Sequence, residues 1–251
     1  MFHHLGRTAG GGRITVASKD LTNRVEIAAG DRPVKEINRD IRSQVQAGKP
    51  IVVTNTMSRH NLGVGLPASA DILFEGSVGY YCGGLNDGAR IHVTRDCGWG
   101  VGEAMASGDI TVDGYAGMSV GASMRGGTIH VKGDAGPRCG VAMKGGDIIV
   151  EGTIGYLSGF MAHAGRIIAL GGANDAAADS LWGGEVWVAG PIGSLGVDSK
   201  IIEPAPTEVA SVEKLLAQRG LDGPDRDWKK IVSAQRLWHF ESRDARAWLM
   251  I

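Results

Sequence analysis

The chain has 251 residues, 43% of them apolar, enough to bury a sizeable core in one large domain or in one domain with appendages. Its 26 basic and 27 acidic residues leave a formal net charge of −1, so no field draws it to nucleic acid or an acidic membrane surface, and no run approaches the roughly 18 apolar residues of a membrane span. Forty glycines beside eight prolines, with no three-residue period, exclude collagen and a disordered linker and leave backbone geometry as their reason.

In chain order, the opening residues Met1 to Arg7 lack the apolar run of a secretory signal. Three cysteines, Cys82, Cys97 and Cys139, contain no CxxC pair and fit reduced thiols, so the expected compartment is the cytoplasm. Asp31-Arg32-Pro33 precedes Val34, Ile37, Ile41 and Val45 at helical spacing, closed by Gly48, which predicts an amphipathic helix with an N-terminal cap and a C-terminal glycine. Residues 1–50 are read as an N-terminal segment with that one helix. Ile51-Val52-Val53 then predicts an irregular first rung, with Val53 placed 19 residues before Ile72.

From there the chain repeats itself. Ile72, Ile91, Ile110, Ile129, Ile148, Ile167 and Val186 follow one another at steps of 19 residues. Gly79, Gly98, Gly117, Gly136 and Gly155 keep the same step, as do Gly83, Gly102, Gly121, Gly140 and Gly159, and Met105, Met124 and Met143. Each unit offers a short β-branched strand, Ile-x-Val, followed by glycines that bend the chain or let backbones approach. Nineteen residues without a helical pattern suffice for one circuit of a parallel β-helix with rungs stacked at about 4.8 Å. The expected fold is all-β: a single-stranded right-handed parallel β-helix over residues 51–200, with about seven 19-residue rungs and short helical caps. The isoleucines form one internal ladder, and Val78, Cys97, Ala116, Ala135, Ile154, Ala173 and Ile192 form another of smaller residues.

Glu203-Pro204-Ala205-Pro206 breaks the pattern, and Thr207 starts a second helix carrying Val209, Val212, Leu215 and Leu216. Residues 201–251 are therefore read as a helical tail that docks onto a partner, with Trp228, Trp238 and Trp248 as its aromatic groups.

No residue pattern supplies a catalytic, cofactor or metal site. Cys82 and Cys139 share a slot three rungs apart, too far to bond or to share an ion, and read as small core residues. His92 and His130 occupy the outward x of Ile-x-Val two rungs apart, and read as surface histidines. Gly98-Trp99-Gly100-Val101-Gly102 is followed by another glycine-punctuated rung, not by a phosphate-binding helix, so it fails as a dinucleotide loop. The slot of the two histidines also holds Leu73, Ile149, Ile168 and Trp187, an outward apolar stripe that needs a cover, from the chain's own helices or from a partner.

These residues resemble the GXGXG domain of glutamate synthases. Gly76-Ser77-Val78-Gly79-Tyr80-Tyr81-Cys82-Gly83 is similar to one of that domain's turns. The stretch Gly171-Gly172-Ala173-Asn174-Asp175 through Leu181-Trp182-Gly183-Gly184 is similar to another, and Asp31-Arg32 to the pair preceding the family's helix. Ala176, Ala177, Ala178 and Asp179 depart from the pattern, as does the tail. As a chain of this size, it resembles the middle subunit of split, three-subunit relatives, above all N-methylglutamate synthase. The resemblance implies a non-catalytic organising subunit in a complex with an amidotransferase-like subunit and a glutamate-synthase-like subunit that binds FMN and an iron–sulfur cluster. The implied reaction converts glutamate and methylamine to N-methylglutamate and ammonia. Two alternatives stand beside it: the Gly-rich β-helix component of a formylmethanofuran dehydrogenase or formyltransferase/hydrolase complex, and a self-standing β-helix scaffold or binding module.

Overall fold

In a computed structural model, which describes residues 23–223 and 226–235, each 19-residue unit closes one turn of a solenoid. The elements in order are β1 (Val25–Ala28), α1 (Val34–Gln46), β2 (Ile51–Thr54), β3 (Asp71–Phe74), β4 (Asp87–Val93), β5 (Ser107–Val112), β6 (Thr128–Val131) and β7 (Lys144–Val150). They continue with β8 (Thr153–Ile154), β9 (Ala164–Ala169), β10 (Gly172–Ala173), β11 (Glu185–Val188), β12 (Ser199–Ile202), α2 (Pro206–Ala217) and β13 (Lys229–Ser233). One sheet runs β1-β2-β3-β4-β5-β6-β7-β9-β11-β13-β12. It is parallel as far as β11, while β13 lies antiparallel on β11 and β12 antiparallel on β13. The fold is an all-β parallel β-helix of about seven regular turns.

The isoleucine ladder stands in register: Ile72 pairs with Ile91, Ile91 with Ile110, Ile110 with Ile129, Ile129 with Ile148, Ile148 with Ile167, and Ile167 with Val186. The small-residue ladder, Val78 to Ile192, is equally continuous. Both lie in one hydrophobic core with Met105, Met124 and Met143. The glycines let neighbouring groups reach inward: a Cβ on Gly121 would lie 2.7 Å from Cδ1 of Ile148, and one on Gly146 2.6 Å from the Met124 methyl.

Two expectations are corrected at the N-terminal end. Ile51, not Val53, pairs with Ile72, and Val53 pairs with Phe74. The first rung is two residues longer than the rest, and the surplus is taken up in a corner where Asn55, Met57 and Ser58 all have positive φ. Helix α1 has Pro33 as its N-cap with no side-chain cap bond, so Asp31 does not cap it. Gly48, with φ +68°, does end it. Ile37, Ile41 and Val45 are buried in one core with Ile27, Ile51 and Val53, and β1, ahead of the helix, adds a strand to the sheet. No helix among the described residues is long and apolar enough to cross a membrane.

Candidate functional site

Because every rung returns to the same face, chemistry on the outside of the prism is arranged in columns one strand spacing apart. Three sets of residues matter, two of them such outer columns and one the buried thiols.

The first holds Leu73, His92, Thr111, His130, Ile149, Ile168 and Trp187, paired side by side along the sheet. Its cover is the chain itself. Ile149, Ile168 and Trp187 form a second buried cluster with Val212 and Leu216 of α2 and with Trp228. Trp228 meets Trp187 edge to face at 6.0 Å. The tail thus docks onto its own sheet through Trp228, whereas Trp238 and Trp248 lie outside the described residues. Lys230 locks the arrangement. Its amine is 2.7 Å from Glu185 and 2.6 Å from Glu208, and stands 5.3 Å above the Trp187 ring. Burial works against the charge, but the hydrogen bonds of the two glutamates outweigh it and hold the Lys230 pKa above the ordinary range.

The two histidines of that column differ. His92 is part-exposed and bonds Asp113 at 2.8 Å, with Lys132 2.7 Å from the same carboxylate. Burial raises the Asp113 pKa, yet Lys132 and His92 overcome it and hold the group below the usual carboxylate range. His130 is buried, contrary to its expected place on the surface, and bonds Glu151 at 2.9 Å. Its pKa is lowered, chiefly by burial and further by the charges of Arg219 and Lys132, against the pull of Glu151. A base whose pKa falls on folding contributes stability that is complete above its unfolded value of 6.5 and is lost as pH falls below it. His130→Gln should therefore flatten the dependence of melting temperature on pH just below 6.5. An unchanged pH profile in the variant would count against this coupling. These pairs are cross-rung ties like Arg166–Asp147 at 2.6 Å, whereas Arg219–Asp109 ties the turn after α2 to β5.

The second set is the thiols. Cys82, Cys97 and Cys139 are free and buried, as expected of core residues. Burial pushes Cys139 up to about 12, and burial together with neighbouring Cys82 raises Cys97 well above its ordinary value. A thiol held protonated is a poor nucleophile and ligand. Among the described residues no three His, Cys, Asp or Glu side chains group to hold a metal ion.

The third set is again an outer column, one that no motif marks. Tyr80, Trp99, Met118, Pro137 and Tyr156 follow the same 19-residue step two places after the small-residue ladder. Trp99 and Tyr156 are 49% and 53% exposed, and nothing charged occupies the slot over these five rungs. His60 stacks on Tyr80 at 4.2 Å and Tyr80 on Trp99 at 4.9 Å, with ring planes within 14° and 10° of parallel. Exposed Tyr81 stands on the next slot, which also carries exposed Arg138, and exposed Tyr115 lies three places before Met118. Tyr, Trp and Met without Lys or Glu in one slot is a composition typical of protein-binding surfaces, and the stacked, exposed rings of Tyr80 and Trp99 form an apolar patch at its head. The signal that could have found it was the repeat itself, read at an outward slot.

The GXGXG motif family matches residues 18–218 of the chain. The chain is also 37% identical over 75 residues to Protein GlxC of Rhizobium meliloti (strain 1021), covering 29% of this chain and 33% of that protein. The match spans about a third of that relative's length.

Proposed function

Since the chain belongs to the GXGXG family, we propose that it is the organising β-helix subunit of a glutamate-synthase-like complex, most specifically of the N-methylglutamate synthase type. The observation that carries this reading is the uncharged column from Tyr80 to Tyr156, a rigid, repeat-spaced surface suited to holding another chain. In this reading an amidotransferase-like subunit and an FMN-binding, glutamate-synthase-like subunit dock on the prism. Glutamate and methylamine are converted to N-methylglutamate and ammonia on those partners, in the cytoplasm. The flavin and the iron–sulfur cluster belong to the partner, because the thiols of this chain are buried on separate rungs and such a cluster takes four converging thiolates. The His92–Asp113 and His130–Glu151 pairs serve stability rather than chemistry.

The test is reconstitution with the two partner subunits. The complex should turn over glutamate with methylamine, and this chain alone should neither bind flavin nor turn over. Trp99→Asp, at an exposed position, should melt like the parent yet weaken assembly about 30-fold, the size of an interface anchor worth about 2 kcal/mol. A yellow single chain, unaided turnover, or undiminished assembly of Trp99→Asp would refute the reading.

A further inference from the structure

Two outer columns of the prism alternate in charge. Asp71, Arg90, Asp109, Thr128, Asp147, Arg166 and Glu185 stand side by side along the sheet with no two like charges adjacent. Asp113, Lys132 and Glu151 alternate at the same 19-residue step. Acid meets base across the rungs, as in Arg90–Asp71, Arg166–Asp147 and Lys132–Asp113, and such cross-strand pairs are stabilising. A third column breaks this pattern. Arg125, Lys144 and His163 follow at 19-residue steps and donate their N–H groups to the carbonyls of Met105, Met124 and Met143 at 2.8, 2.7 and 2.7 Å. Three basic side chains thus stand on successive rungs, over about 10 Å. All three are exposed, and no acidic residue lies within two places of any of them in the sequence. Among the described residues none of the three has a carboxylate within ion-pair distance. Trp182 continues the column, its ring 5.8 Å from that of His163 and within 11° of parallel, and Met161, 41% exposed, lies two places before His163.

We propose that the Arg125, Lys144 and His163 column is the docking site for an acidic segment of another protein chain. Like charges on adjacent strands oppose folding, and a prism that neutralises its sheet-face charges across rungs leaves these three to be neutralised from outside. Burial and the charge of Lys144 both lower the His163 pKa, as expected of a base beside an uncompensated cation. The occupant is a protein segment rather than a small anion because the three side chains stand in the open, where water and salt screen a single phosphate. A chain lying along the column instead meets several cations at once and covers Met161 and the Trp182 ring. Nucleic acid is the poorer match, since a short basic column on a chain of formal net charge −1 offers no extended basic field. The column is a different slot from that of Tyr80 to Tyr156, and its reading holds whichever enzyme the chain serves.

The probe is fluorescein-labelled deca-glutamate, titrated with the full chain and read by fluorescence anisotropy. At low salt it should bind with a dissociation constant of about 0.1 mM and be released as the ionic strength nears 1 M. Lys144→Glu should weaken it at least tenfold and Lys144→Gln about threefold. Lys200→Glu, the same change in net charge at an exposed position outside the column, should leave it within twofold. In the free chain Lys144→Glu sets an acid between Arg125 and His163 and should raise the melting temperature by about 2 °C at low salt, a gain that a merely structural lysine would not give. Absent binding, equal binding by Lys144→Glu, or equal loss in Lys200→Glu overturns the proposal. So does a melting temperature of Lys144→Glu at or below that of the parent. Displacement of the peptide by pyrophosphate or deca-thymidylate at lower concentration than by unlabelled deca-glutamate would make this a site for a small anion or for nucleic acid, and overturns it as well. The probe needs no partner subunit, so this result and the assembly of Trp99→Asp fail independently.

Discussion

Replacing Trp187 by Ala should cost about 3–5 kcal/mol of stability, the usual range for removing a buried aromatic. The indole is 1% exposed, donates to Glu185 at 3.0 Å, and is the hub on which Val212, Leu216 and Trp228 close. Without it, α2 and β13 lose the surface that holds them, and Lys230 loses the ring beneath its amine. For a chain of this length 1 kcal/mol corresponds to about 2–4 °C in melting temperature, so a drop of about 10 °C is expected. Thermal circular dichroism measures it, and amide exchange should show α2 opening first, because solenoids come apart from their least stable end. Trp99→Ala is the control: its ring is half exposed, and its loss should change stability by about 0.5 kcal/mol or less. If Trp187→Ala melts like the parent, the closure of the tail over the sheet is wrong. Any loss of partner binding in this variant would follow from the lost fold, which distinguishes it from Trp99→Asp.

Gly155→Ala should be about as damaging, for a different reason. A Cβ there would lie 2.5 Å from the Pro137 nitrogen and 2.6 Å from the Gly136 carbonyl carbon. Both are backbone, and both are held by the ladder, where Gly155 itself donates to Ala135 at 2.9 Å. The same contact recurs down the column: a Cβ on Gly136 would meet the Gly117 carbonyl carbon at 2.8 Å, and one on Gly117 that of Gly98 at 2.9 Å. No rotamer relieves such a clash, so the rungs must part, at about 3 kcal/mol, the upper part of the range for overpacking. Gly84→Ala, whose nearest neighbour would be at 3.3 Å, should cost clearly less. The consequence reaches function because Tyr156 follows Gly155 directly: wedging this rung displaces the end of the exposed aromatic column, and assembly should weaken with stability. Equal melting of Gly155→Ala and Gly84→Ala would contradict the close-packed column.

The repeat was legible in the amino-acid order because a solenoid converts a local spacing into a three-dimensional one. Once each circuit takes 19 residues, Ile110 must stand on Ile91 and Cys139 must fall in the core, whatever the rest of the chain does. The parallel register, both internal ladders and the burial of the thiols follow from that single period. What tertiary structure decided is where the period stops applying. The two extra residues of the first rung move Ile51 rather than Val53 onto Ile72, since a corner can absorb them at positive φ while the strand keeps its pairing. His92 and His130 share a slot yet differ in burial, and Trp187 lies under the chain's own tail. Those outcomes depend on α2, Trp228 and Lys230 returning from far along the sequence to the outer face of β7, β9 and β11. Such long-range closures are set by the fit and charge of surfaces that meet only after folding, and no spacing along the chain encodes which column they will cover.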